Sequence, residues 1–254
     1  MNQGYPPPES DPSAEMRVPV TVRRPAVQPI VTYVIIGVTV FVYLLQMLTQ
    51  YIMNVDYPLY LGVKVNQLIQ EGQLWRFFTP MLLHGSILHI GFNMYALYSI
   101  GRPLELYYGH WRYLALYVLS GFAGNVFSFI FSANSSAGAS TAVFGLLAAE
   151  GVFLYHNREM FGQYANRALT QVITIAAVNL VIGLSPGIDN FGHIGGLVGG
   201  ALFAWFGGPL LGVAGFYPNF STIDRRDGRS VLMAGLGVSA WFVLLAAATL
   251  FIRG

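Results

Sequence analysis

The sequence contains no cysteine, which excludes disulfides, thiolate-held zinc and a cysteine nucleophile. Charge is scarce as well. Only 9% of the 254 residues are Asp, Glu, Lys or Arg, against about 25% in an ordinary soluble domain. The net charge is +2 with no basic run, so nothing points to nucleic acid. No internal repeat is visible, which speaks against a small transporter built from paired broken helices. What the chain has in abundance is apolar side chains, 55% of the total. A helix needs about 20 mostly apolar residues to cross a bilayer. Seven segments qualify, at roughly 29–50, 83–106, 111–132, 138–156, 166–185, 189–210 and 230–251. The expected fold class is an all-α polytopic membrane protein.

Residues 1–28 are rich in proline and polar groups and read as a disordered tail. The apolar segment behind them is too long for a signal peptide and lacks a small-residue cleavage site. Basic residues orient the spans. With the N-terminus in the cytoplasm, Arg17, Arg23, Arg24, Arg102, Arg112, Arg158, Arg167, Arg225, Arg226 and Arg229 lie inside. Only Lys64, Arg76 and Arg253 then lie outside. This positive-inside bias predicts a cytoplasmic N-terminus and an outside C-terminus. The longest outside loop is 51–82. Its stretch "QLWRFFTPMLLHG" is expected to lie partly in the membrane interface, where tryptophan is comfortable. Segment 208–229 reads as a cytoplasmic linker to a seventh span within 230–254. That span is treated as an appendage, and the chemistry is expected in 29–207.

Ionisable and strongly polar side chains inside a membrane are costly and point to function. Span two carries His84, His89 and Asn93, span four Ser140 and Glu150, and span six His193. Spans two, four and six all run inward from the outer surface. His89, Ser140 and His193 each lie a few residues into their span. At about 1.5 Å per residue they share one shallow depth, as members of a single site would. Span six has Gly192, Gly196 and Gly200 at four-residue spacing, and span four has Gly138, Ala139, Ala142 and Gly145 around its serine. Small residues at such intervals let helix backbones approach closely. Close packing of these two spans would bring Ser140 and His193 within hydrogen-bond reach, so that the imidazole could activate the hydroxyl. His89 and Asn93 are four apart and share a helix face. Both can donate to a developing oxyanion, as can the Ser140 N–H near its helix start. A serine at that depth can receive the water that peptide hydrolysis needs.

Each residue alone has a plainer explanation. A serine at a helix start is usually a cap or a packing residue. Asp189 reads as a solvated helix start favoured by the dipole. His84 and His89 would lie about 140° apart on a helix, which disfavours a shared metal, so His84 reads as an anchor for the first loop. Glu150 is expected in a buried hydrogen-bonding role, and Arg102 and Glu105 as a local pair. No metal or cofactor is expected.

Taken together the motifs resemble the rhomboid family of intramembrane serine proteases. The resemblance is carried by Trp75–Arg76, by the series His84, His89, Asn93, by "GAS" ending at Ser140, and by "GHIGGLVGG" with His193. It covers roughly residues 30–207. It implies Ser140 as nucleophile and His193 as general base, with His89 and Asn93 in the oxyanion hole and Phe144 packed on the catalytic histidine. It also implies a six-helix bundle plus a seventh span, with a lateral gate between spans two and five. The substrates would be single-span membrane proteins within the lipid bilayer, cut near its outer boundary. A bacterial plasma membrane is the expected location, with a eukaryotic secretory membrane as the alternative. The sequence departs from the family pattern at Thr141, where glycine is frequent, and at Gly192, where alanine is frequent. Thr141 has the bulk to narrow the cavity. The alternative is a rhomboid-like pseudoprotease that binds or moves clients without cutting them. Such proteins lack the serine or the histidine, and both are present here. Substrate identity and oligomeric state are not legible.

Overall fold

A computed structural model describes residues 21–23, 27–217 and 219–253. Most of the tail expected to be disordered, residues 1–20 and 24–26, lies outside the described residues. Strand β1 (Thr21–Arg23) leads into helix α1 (Ile30–Met53). The loop that follows holds α2 (Tyr57–Gly62), α3 (Asn66–Gln70) and two 3-10 turns, Leu74–Phe77 and Thr79–Leu82. Span two is α4 (Ile87–Ala96), a π-helical segment (Leu97–Gly101) and α5 (Arg102–Tyr108) in succession. Then come α6 (His110–Phe131), α7 (Ser140–His156), the short α8 (Arg158–Phe161) and α9 (Gln163–Ile182). Helix α10 (Asn190–Gly207), strands β2 (Leu211–Phe216) and β3 (Asn219–Asp224), and α11 (Gly228–Arg253) complete the chain. Among the described residues α1, α6, α9 and α11 are long and apolar enough to cross a membrane by length and composition. The protein is an all-α polytopic membrane protein with a small sheet appended.

Helix α6 is the axis of the bundle. Its buried residues lie on every face, from Tyr113 and Leu116 to Phe129, as expected of a helix enclosed by others. Helices α7 and α10 pack on it and on each other. The approach is closest where α10 presents glycine. A methyl on Gly200 would lie 2.5 Å from Gly145 Cα and 2.6 Å from its carbonyl carbon. No side chain other than hydrogen lets these two backbones meet. Helix α9 touches this core along one edge, through Val172 against Leu147 and Leu154 of α7. Helix α11 buries Ala234, Val238, Phe242 and Ala246, one residue per turn, and this stripe lies on α10 and α6.

The end of α1 is held from a distance. Glu105 is fully buried, and its carboxylate accepts hydrogen bonds from Val31 N (2.8 Å), Thr32 N (2.8 Å) and Thr32 Oγ1 (2.7 Å). Those amides belong to the first turn of α1, which has no acceptor of its own. Glu105 also lies 2.6 Å from His110 Nδ1. The local pair expected between Arg102 and Glu105 does not form. Arg102 instead lies over the ring of Tyr98, 4.4 Å from its centroid, because the carboxylate is turned inward onto α1. Hydrogen bonds to a charged group contribute about 1.5–3 kcal/mol each. Glu105→Ala should therefore destabilise the protein by about 3 kcal/mol or more, read as a lower thermal midpoint in detergent. An unchanged midpoint would remove this carboxylate from the structural role.

The segment 208–229 is more ordered than its sequence announces. Strands β2 and β3 form an antiparallel hairpin, and β1 adds to β3 in parallel register, Thr21 opposite Asn219. Asn157 at the end of α7 secures it, donating to Pro209 O (3.1 Å) and accepting from Leu211 N (2.7 Å). Arg112 pairs with Asp224 at 2.6 Å. These strands are short and have no apolar alternation, so no periodicity marks them.

Candidate active site

Ser140 is the first residue of α7 and His193 lies in the first turn of α10. The glycine contact between those helices sets their separation. His193 Nε2 lies 3.0 Å from Ser140 Oγ. The Phe144 ring stacks on the imidazole, with centroids 4.2 Å apart and planes 9° from parallel. That contact limits the ring to one orientation. Asp189 caps α10, accepting from Gly192 N at 3.1 Å. It makes no hydrogen bond to the His193 ring, so the serine and histidine stand without a carboxylate partner among the described residues.

A cavity of about 790 Å³ opens beside this pair. His89, Phe92 and Asn93 line it from α4, and Asn179 and Ile182 from α9. Gly138, between the lining residues Ala137 and Ser140, has φ +137°, a backbone conformation that glycine adopts readily. A Cβ there would sit 2.7 Å from His89 Nε2 and 3.6 Å from Ser140 Oγ. The missing side chain leaves open the space between the imidazole of His89 and the serine oxygen. Asn93 lines the same cavity, one turn deeper. Its amide donates one hydrogen bond to His89 O at 2.9 Å, and its second amide hydrogen remains for another acceptor. The Ser140 N–H belongs to the first turn of α7, where amides have no intrahelical acceptor.

Thr141 does not narrow the cavity. It is buried and faces α6 and α10, because it directly follows Ser140 and points about 100° around the helix from it. A Cβ on Gly124 would lie 2.6 Å from Thr141 Cβ, and one on Gly192 3.1 Å from Thr141 Cγ2. The two departures from the family pattern thus meet: glycine at 192 leaves the room that the threonine methyl occupies. Glu150 is half-buried and forms no hydrogen bond or ion pair among the described residues, contrary to expectation. It faces neither the cavity nor a donor.

His84 precedes α4 rather than lying on it, so the helical angle to His89 does not apply. The two rings meet edge to face, 5.0 Å apart. Its Nε2 accepts from Ala139 N at 3.4 Å, and its backbone exchanges hydrogen bonds with Gln46 of α1. The first loop is held by Trp75 and Arg76. Trp75 Nε1 donates to Leu61 O, while Arg76 donates to Val63 O and Tyr60 O. Sequence reasoning passed over Lys64. Its ammonium is buried and donates to Ser128 O, Ser132 O and Asn134 O, and its backbone pairs with Ser136 beside the cavity. Burial pushes this amine down to about 8, with Asp189 opposing and Arg253 adding to the shift. Arg253, at the end of α11, donates to Phe129 O and Ile130 O. The two cations cap the carbonyl end of α6, a role that a count of loop charges does not reveal.

The rhomboid domain model matches residues 71–210, and the chain belongs to the rhomboid family. That family consists typically of intramembrane serine proteases. The chain is 37% identical to rhomboid protease GluP of Bacillus subtilis over 212 residues, 83% of this chain and 40% of that protein. It is 36% identical to RHOMBOID-like protein 4 of Arabidopsis thaliana over 170 residues, 66% of this chain and 41% of that protein. RHOMBOID-like protein 1 of the same plant is 40% identical over 147 residues, 57% of this chain and 37% of that protein. The chain spans about two fifths of the length of these curated relatives.

Proposed function

We propose that this chain is an intramembrane serine endopeptidase. Ser140 is the nucleophile and His193 the general base. The observation that carries this reading is the 3.0 Å separation of Ser140 Oγ and His193 Nε2 beside an open cavity. As Oγ attacks the scissile carbonyl carbon, its proton passes to Nε2. The carbonyl oxygen becomes an oxyanion, met by His89, by Asn93 and by the Ser140 N–H. The C–N bond then breaks, the nitrogen takes the proton from Nε2, and an acyl ester remains on Ser140. Water attacks that ester, gives its proton to Nε2, and the carboxylic product leaves as Oγ is reprotonated.

Substrates are single-span membrane proteins that reach the cavity from the bilayer, between α4 and α9. A helical substrate must unwind to expose a carbonyl, so small or helix-breaking residues near the scissile bond favour cleavage. Residues 29–207 form the catalytic core, with 208–229 and the N-terminus cytoplasmic and the C-terminus outside. Cleavage then falls near the outer boundary of a plasma membrane, and the expected setting is bacterial.

The test is cleavage of a transmembrane peptide by the purified chain across a pH series. A protonated imidazole cannot accept the serine proton. The rate therefore falls on acidification. A rate with no acid limb anywhere in the range over which the protein stays folded removes His193 from the role of base.

A further inference from the structure

A second cavity, of about 730 Å³, lies between α10 and α11, remote from Ser140. Its walls are Val198, Leu202 and Phe206 of α10 and Met233, Gly237 and Trp241 of α11. Each set is spaced by four, so each forms one continuous apolar stripe along its helix. Arg226 and Ser230 close one end. From Ser230 to Trp241 the groove extends about 16 Å along the helix, or roughly half of a 30 Å hydrocarbon core. Its polar end lies where α11 begins, with Arg226 at the groove and Arg225 and Arg229 close by in sequence, where an apolar helix of this length would meet the headgroups. An apolar slot one leaflet deep, headed by a cation, has the dimensions and charge of a lipid site.

The cation is fixed in place. Arg226 Nε donates to Gly208 O (3.1 Å) and Nη2 to Trp205 O (3.1 Å). Nη1 has no hydrogen-bond partner among the described residues. The nearby carboxylates form no ion pair with this guanidinium: Asp224 holds Arg112 at 2.6 Å and accepts from the backbone N of Arg226 at 2.9 Å, and Asp227 accepts from Ser230 N at 2.6 Å. We propose that this groove binds one phospholipid with an anionic headgroup, its phosphate on Arg226 and one acyl chain between α10 and α11. The proposal does not depend on the protease assignment.

The purified, delipidated 254-residue chain in detergent would be titrated with phosphatidylglycerol, with phosphatidylcholine of the same acyl chains, and with inorganic phosphate. Retained lipid is counted by native mass spectrometry and stability by the thermal midpoint. Wild type should saturate at one phosphatidylglycerol per chain and prefer it to phosphatidylcholine by about fivefold, the effect of one arginine at a lipid surface. Arg226→Gln should lose that preference. Because Arg226 also binds two carbonyl groups, a second variant is needed. A Cβ on Gly237 meets nothing within 4 Å, so Gly237→Leu fills the groove without disturbing its neighbours. It should retain about tenfold less lipid with an unchanged midpoint in lipid-free detergent. Equal retention by wild type and Gly237→Leu overturns the site. So does equal retention of the two lipids by wild type, or stabilisation by inorganic phosphate matching that by phosphatidylglycerol.

Discussion

Ser140→Ala should abolish cleavage of a transmembrane substrate and labelling by a fluorophosphonate, while leaving the protein folded. The expected loss is on the order of 10⁶-fold, the cost of removing a serine nucleophile. Ser140 Oγ has one hydrogen-bond partner among the described residues, the imidazole of His193, and it makes no cap bond for α7. Its removal therefore subtracts one solvent-accessible hydrogen bond, about 1 kcal/mol, and leaves the helix contacts intact. Two measurements separate the readings. Fragments formed equally by wild type and Ser140→Ala would end the nucleophile assignment. Folded wild type that takes no fluorophosphonate adduct would favour the pseudoprotease, which holds clients without cutting them.

Gly200→Val should remove activity by another route. The Gly200 backbone rests on Gly145, and any Cβ would enter the space of Gly145 Cα. The obstruction is backbone, which has no alternative rotamer, so α10 must move away from α7. Overpacking usually costs 1–3 kcal/mol; a backbone collision at the centre of the bundle should exceed that, about 3 kcal/mol or more. The serine lies five residues from Gly145 and the histidine seven from Gly200, across the same interface. Separation of the helices lengthens the 3.0 Å contact, and labelling at Ser140 falls with the thermal midpoint. Gly37→Ala is the control, since a Cβ there meets nothing within 4 Å. A Gly200→Val protein with wild-type midpoint and labelling would show that close glycine contact does not hold the pair together.

The apolar segments were legible because bilayer physics leaves a strong mark: each of the seven coincides with a helix or, at 83–106, with a succession of helices, and four of those helices are long and apolar enough to cross a membrane. The meeting of α7 and α10 could be anticipated from glycines at four-residue spacing beside Ser140 and His193. What was misread involved contacts between distant segments. Glu105 looked like a neighbour of Arg102, yet it serves α1, more than seventy residues away. Thr141 looked like a cavity residue, and only the azimuth of α7 shows that it faces Gly124 and Gly192. Lys64 looked like an outside charge, and its burial among the carbonyls of α6 left no local trace. The sheet joins the hairpin of β2 and β3 to β1, which lies almost two hundred residues from β3, with no periodicity to announce the pairing.

By itself the sequence determined the solvent of this protein, the positions of its apolar helices and the polar residue types placed among them. Those properties follow from composition and spacing along one helix at a time, where hydrophobicity and the 3.6-residue period act locally. The tertiary structure alone decided the distance between Ser140 and His193, the direction in which Thr141 points, and the partners of Glu105, Lys64 and Arg226. Each of these depends on which helix faces lie together, and that is settled by the sum of many small packing contacts between segments far apart in the chain.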